Sequence, residues 1–182
     1  MDRFWFLTWT TYGQWLPGDP RGCVTRVRAG HSSRIEHDEF QTPYDADIPG
    51  LRESAQRALK CPPIRLISDQ APALLKQFQE TAEYRGWLLA AVGIMANHIH
   101  IVTGVLGDPD PEKLLQSYKA YGSRVLNKRW TKPASDTWWT ESGSNRKLKD
   151  EASITAAIEY IRNQEYPLLI WINPIVNDWK TT

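Results

Sequence analysis

The stretch Met95-Ala96-Asn97-His98-Ile99-His100-Ile101-Val102 governs how the rest of the chain is read. Two of the protein's four histidines stand one residue apart here, at the mouth of an apolar run. Alternate side chains of a strand leave from the same face, so His98 and His100 project together if the stretch is extended. Neutral imidazole is the commonest metal ligand, and two of them a strand repeat apart can grip one divalent ion. The same spacing also fits a surface or capping pair, and the surroundings must discriminate. Leu88 to Ile94 and Ile101 to Val105 predict two strands joined at Ala96-Asn97, with the histidines at the start of a central strand.

Working outward from this pair, helical periodicity appears on both sides. Leu74, Leu75, Phe78 and Ala82 recur at helical spacing, so a helix is expected from Ile67-Ser68-Asp69 to about Arg85, capped by Ser68 or Asp69 and ended by Gly86. A second long helix is expected from about Glu112 to Trp130, after the breaker Gly107-Asp108-Pro109-Asp110-Pro111. Phe4 to Thr11 (FWFLTWTT), aromatic and β-branched, predicts the first strand. The order strand, helix, strand, strand, helix is most of a split βαβ arrangement. Thr137-Trp138-Trp139-Thr140-Glu141 is expected to supply the missing strand, with Ser142 to Asn145 as a turn and Arg146 to Lys149 as a short return strand. A third helix is expected from Asp150 through Gln164, ended by Pro167, and the apolar tail Leu168 to Ile172 is expected to pack back onto the domain. The fold class is thus α+β, ferredoxin-like: an antiparallel sheet with helices on one face, plus a C-terminal tyrosine-bearing helix.

The chain of 182 residues is expected to form one domain, residues 1–182, with an insertion at about 23–65. That stretch is polar, poorly periodic and broken by prolines, with one short helix expected at Leu51 to Lys60. A net charge of +1 excludes a globally basic nucleic-acid binder, so any basic surface has to be local. Two separated cysteines, Cys23 and Cys61, exclude a disulfide framework and a four-thiolate zinc site. No apolar run approaches membrane-spanning length and the opening lacks signal-peptide form, so a cytoplasmic protein with no membrane partner is expected. The loop Tyr12 to Gly22, dense in glycine and proline, reads equally as a binding surface with Trp15 and Arg21 as contacts or as a tight connection.

A nucleophile is sought among the helical tyrosines. Leu114, Tyr118, Tyr121 and Val125 fall on one face of the second helix, which makes Tyr118 and Tyr121 core candidates. On the third helix Ile154, Ala157, Ile158 and Ile161 form the buried stripe, and Tyr160 lies roughly 60° off its edge. Gln164, one turn on, is Tyr160's neighbour on the same side.

Asn97-His98-Ile99-His100, Trp138 to Ser144 and Tyr160-Ile161-Arg162-Asn163-Gln164 together resemble the HUH-superfamily single-tyrosine transposases, which include insertion-sequence transposases and REP-associated tyrosine transposases. The opening TWTTYGQWLPGDPRG resembles a subgroup of that family, whereas residues 23–65 match no motif. The resemblance implies His98 and His100 as metal ligands, Tyr160 as nucleophile and Gln164 as third ligand or orienting amide. It implies Mg²⁺ or Mn²⁺ as the divalent ion, with imidazole favouring the more borderline Mn²⁺. The implied activity is that of a metal-dependent single-stranded DNA endonuclease and strand transferase, a nickase and ligase acting through a 5′-phosphotyrosine at hairpin-flanked sites. A phenol ionises at about pH 10, so the attacking oxygen needs activation. Lys119, Arg124 and Lys128 on the second helix, with Arg146 and Lys147 after the turn, are phosphate-contact candidates or a solvated face. Single-stranded DNA containing a hairpin is the implied partner, and relatives include monomers and homodimers. The rival is a catalytically silent DNA- or RNA-hairpin-binding protein on the same fold; a metal hydrolase that activates water is a third reading.

Overall fold

The computed structural model describes residues 1–16, 28–29, 33–34, 49–141 and 143–177. Strand β1 (Arg3–Thr10) is followed by a two-stranded ribbon, β2 (Arg28–Ala29) with β3 (Ser33–Arg34), and by helix α1 (Pro49–Arg57). Then come α2 (Gln70–Arg85), β4 (Leu88–Ile94), β5 (His98–Val105), α3 (Pro111–Arg129), β6 (Ser144–Leu148), α4 (Glu151–Arg162), β7 (Leu169–Ile172) and α5 (Pro174–Asn177). The main sheet has the order β6-β1-β5-β4-β7 and every pairing in it is antiparallel. Its first four strands, with α2 and α3 as the intervening helices, form the expected ferredoxin-like βαββαβ unit. Strand β5, which carries the histidines, is the middle strand.

Alternation along β1 sorts the molecule into layers. Trp5, Leu7 and Trp9 point to one face and join a core with Leu74, Phe78 and Ala82 of α2 and Leu114, Leu115 and Tyr118 of α3. Phe4 and Phe6 point to the other, where Ala157, Ile158 and Ile161 of α4 pack on Ala90, Ala91 and Val102. The stripe anticipated for α4 is the buried one. Helix α4 leaves the β6 edge, crosses this second face and delivers the chain to β7 at the far edge.

Most helix ends fall within a residue or two of expectation, but α1 lies at Pro49–Arg57 rather than Leu51 to Lys60. Helix α4 stops at Arg162 with Asn163 as its cap, so Gln164, expected within the helix, lies just beyond it. Gly86 ends α2 in the left-handed region (φ 66°), and Asp110 caps α3 by accepting from the Glu112 amide. Asp150 and Ser153 form a reciprocal capping box at the start of α4. At α2, however, Asp69 occupies the N-cap position without a side-chain bond, and the buried Gln70 accepts the Ile67 amide instead.

The fourth strand of the unit lies elsewhere than expected. Thr137 to Glu141 is not a strand; only Trp139 forms an isolated bridge, to Thr11. The ladder with β1 runs instead from Ser144 opposite Thr8 to Leu148 opposite Phe4, so Ser144 and Asn145, expected in a turn, already belong to the strand. The reason is side-chain anchoring. Trp138 donates through its indole to Asn127 and Trp139 to the Lys119 carbonyl, which ties both side chains to α3. The backbone makes only a short bridge to the end of β1, with the Tyr12 amide on the Trp138 carbonyl and the Thr140 amide on the Thr10 carbonyl. Gly143 allows the return, since a Cβ there would lie 2.7 Å from the Thr8 carbonyl oxygen. The apolar tail packs back as a fifth strand, β7, held by the Leu168 amide on the Ile94 carbonyl at one end and the Asn173 amide on the Ala90 carbonyl at the other. Among the described residues, no helix is long and apolar enough to cross a membrane.

Candidate active site

The site forms on the α4 face, where β5 begins. His98 and His100 are opposite Thr10 and Thr8 of β1, and the alternation of β1 places them on the same face as Phe6. Their rings stand 4.7 Å apart, centroid to centroid, nearly perpendicular. His100 is 3% exposed, and its ring stacks on Phe6 at 5.3 Å. The Tyr160 ring lies edge-on 5.3 Å from His100 and 5.8 Å from Phe6, with 53% of the residue exposed to solvent. Gly93, the cross-strand partner of His100 on β4, lets α4 come this close: a Cβ there would stand 3.1 Å from Ile161 Cγ2.

Each imidazole has its Nδ1 engaged. Asn97 Oδ1 is 2.8 Å from His98 Nδ1, and Thr8 Oγ1 is 2.7 Å from His100 Nδ1. His100 Nε2 is buried and has no hydrogen-bond partner among the described residues. Burial holds the pKa of His98 below its ordinary value and takes His100 down to about 3, the nearby His98 adding to the effect. Both rings are therefore neutral at neutral pH, which is the ligating form. This donor set fits a divalent ion: two uncharged imidazoles on one face, with the buried His100 Nε2 lacking a hydrogen-bond partner among the described residues. Gln164 donates its amide Nε2 to the Tyr160 carbonyl at 3.1 Å, leaving Oε1 as its acceptor. Among the described residues, no cluster of three His, Cys, Asp or Glu side chains is present.

Not all the residues expected at the site converge on it. Trp15, half-buried and at φ 47°, sets its ring 5.8 Å from His98. Arg146 is opposite Phe6 on β6, with its guanidinium 5.4 Å from that ring, and so faces the site. Lys147, opposite Trp5, projects to the other face. Arg124, packed over Tyr121 at 4.7 Å, and the exposed Lys128 are on α3, in the layer behind the sheet. Lys119 donates to the carbonyls of Thr140 (2.6 Å) and Glu141 (2.9 Å), and burial draws its pKa down to about 8 against the pull of Glu112 and Glu141. Arg21 lies outside the described residues. Tyr118 is fully buried, and burial raises its pKa although the Thr103 hydroxyl bonds to it.

Sequence reasoning missed Phe6 and Thr8. The signal was the alternation within FWFLTWTT, where Phe4, Phe6, Thr8 and Thr10 share a face. That period shows the shared face but not which strand sits opposite.

Fold and site together define a ferredoxin-like domain with paired histidines on its central strand and a tyrosine carried across that face by a crossover helix. Residues 65–164 match the family described as "Transposase IS200 like", and the chain belongs to that family. Solved structures similar to it include the following two. One is of a REP-associated tyrosine transposase bound to a REP hairpin, at 12% identity and a TM-score of 0.49, covering 88% of this chain and 64% of that one. This chain thus spans under two thirds of that protein's length. The other is the crystal structure of a Deinococcus radiodurans r1 protein described as a transposase, at 13% identity and a TM-score of 0.46, covering 90% of this chain and 91% of that one. No curated protein matches the chain.

Proposed function

We propose that this protein is a metal-dependent single-stranded DNA endonuclease and strand transferase that works through a 5′-phosphotyrosine. The observation that carries this reading is the Tyr160 ring 5.3 Å from His100, which is itself 4.7 Å from His98. His98 and His100 hold a divalent ion, Mg²⁺ or Mn²⁺, with Gln164 as third ligand or orienting amide. When bound, that ion supplies Lewis-acid polarisation of the scissile phosphate. The Tyr160 hydroxyl loses its proton and its oxygen bonds to phosphorus in line with the bond to the 3′ oxygen. That bond breaks, the 3′ oxygen takes up a proton, and the 5′ phosphate stays on Tyr160. A later 3′-hydroxyl reverses the sequence and joins a new strand. Half-exposure suits Tyr160 to this role, because the attacking oxygen must reach a phosphate from solvent.

Arg146 is the proposed phosphate contact nearest the reacting atoms, and Trp15 offers an aromatic surface beside His98 for an unpaired base. Arg124 and Lys128 meet only DNA that wraps to the α3 side. The substrate is a single strand containing a hairpin.

The test is a denaturing gel for a covalent protein–DNA adduct, with Mn²⁺ and labelled single-stranded hairpin DNAs from around the protein's own gene. Wild type is expected to form an adduct, Tyr160→Phe and His98→Ala to lose it, and Tyr121→Phe to keep it. Adduct loss in Tyr121→Phe alone overturns the assignment of the nucleophile. Tight binding with no adduct on any strand overturns the enzyme and leaves a hairpin-binding protein.

A further inference from the structure

The two histidines face the same site but are held by different devices. Asn97 is His98's own neighbour, and its backbone is fixed from outside: its carbonyl accepts from the Thr11 amide at 2.9 Å. The adjoining Ala96 carbonyl accepts from the Leu66 amide at 2.7 Å. With its backbone pinned, Asn97 presents Oδ1 to His98 Nδ1. Thr10, opposite His98, bonds elsewhere, with its hydroxyl 2.9 Å from that of Thr140. His100 is supported by its cross-strand partner, with Thr8 Oγ1 on Nδ1.

An amide oxygen only accepts, so His98 must carry its proton on Nδ1 to bond Asn97. A hydroxyl can donate or accept, so Thr8 alone does not fix the His100 proton. Thr8 and the burial of Nε2 together do. A proton on that nitrogen would be a buried donor with no acceptor among the described residues, an arrangement folded proteins avoid. With the proton on Nδ1, Thr8 accepts it and Nε2 keeps a lone pair aimed away from the strand.

We infer that Thr8 and Asn97 are positioning residues that fix both histidines as the Nδ1–H tautomer, so that both present Nε2 to a metal ion. The inference rests on the reading of the histidines as a metal pair and deepens it by naming which nitrogens ligate and what sets them. Outer partners of this kind tune metal affinity by ~10–100-fold. They also explain the threonine at position 8: valine would suit a strand equally well but offers no acceptor.

The test uses two readouts on the full chain. Long-range ¹H–¹⁵N spectra of the metal-free protein at neutral pH report the tautomer of each histidine, and titration with Mn²⁺ or Co²⁺ reports affinity without DNA. In wild type both rings are expected as Nδ1–H. Thr8→Val is expected to move His100 toward Nε2–H and weaken ion binding by about 10–100-fold, and Thr8→Ser to restore both. Asn97→Leu is expected to do the same to His98 alone, and Asn97→Asp, which keeps the acceptor, to spare it. Wild-type His100 found as Nε2–H, or Thr8→Val leaving tautomer and affinity unchanged in a folded protein, overturns the inference. Nδ1–H on both rings with no ion bound by wild type upholds the tautomers and overturns the metal reading instead.

Discussion

Tyr118, on the α2/α3 face of the sheet, is fully buried, and its hydroxyl is 3.0 Å from that of Thr103. Tyr160, on the α4 face, leaves 53% of its surface in solvent and turns its ring edge toward His100. The contrast extends to the whole of each layer. Behind the sheet, Trp9, Phe78, Tyr118 and Trp139 meet ring against ring. On the α4 face small residues (Ala90, Ala91, Gly93, Ala157) let a helix lie close, while Thr8, Thr10, His98 and His100 put polar groups on the strands beside it. The aromatic layer supplies most of the stabilising burial. That leaves the other face able to keep one imidazole out of solvent, a second half-buried beside it and one tyrosine exposed, a combination that stability alone would not select.

Perturbing each layer separately tests this division. The largest expected effect is Phe78→Ala in the aromatic layer, where a fully buried ring lost between Trp9 and Tyr118 destabilises by about 3–5 kcal/mol in denaturant unfolding. Next is Gly93→Val, whose added methyl groups would press on Ile161; about 1–3 kcal/mol is expected, with a loss of adduct formation per folded molecule as α4 lifts. If unfolding energy drops but the adduct rate does not, Gly93 is not what brings α4 to the histidines.

Acid comes third. His100 titrates at about 3 in the fold against an ordinary value of 6.5, so below pH 6.5 the unfolded chain takes up a proton that the folded chain refuses. Stability present above pH 6.5 is therefore lost as pH falls toward 3, by about 1.4 kcal/mol at pH 5.5 from this residue. Denaturant curves of metal-free wild type and His100→Gln at pH 7.5 and 5.5 should show the slope reduced in the variant. Tyr118→Phe, which removes one buried hydroxyl bond, is expected to be destabilising by about 1 kcal/mol while adduct formation persists. The smallest change in stability belongs to Tyr160→Phe, within about 0.5 kcal/mol, although the adduct disappears. A large destabilisation there would mean that Tyr160 is a packing residue like Tyr118.

Much of this layout could be read from the residues. Aromatic and β-branched composition gave β1, apolar runs gave β4 and β5, period-3.6 patterns gave α2 and α3, and the stripe on α4 correctly left Tyr160 outside it. What escaped was long-range pairing. Ser144–Leu148 (SNRKL) is an edge strand with one buried residue, so no apolar alternation marks it, while the tryptophans at 138 and 139 look like a strand but bond to α3. Leu169–Ile172 is half-buried throughout and shows no alternation either. The site was legible where its chemistry is local, in His98-Ile99-His100 and in the offset of Tyr160 from its stripe. Thr8 was not, because its partner is 92 residues away and only strand order brings them together.

Helix α4 is moored at both ends, to one edge of the sheet through β6 and to the opposite edge through β7. It therefore acts as a bridge whose span is set by the width of three strands, with the tyrosine mounted near its far abutment. On such a bridge the distance from tyrosine to histidine is adjusted by the connectors and not by the helix. The segment 165–168, beyond Gln164 and including Tyr166 at φ 53°, is where one residue more or less would slide Tyr160 along the sheet while every side chain of the site stayed unchanged. Reach and chemistry are thus encoded in separate pieces of sequence, and each can vary without rewriting the other.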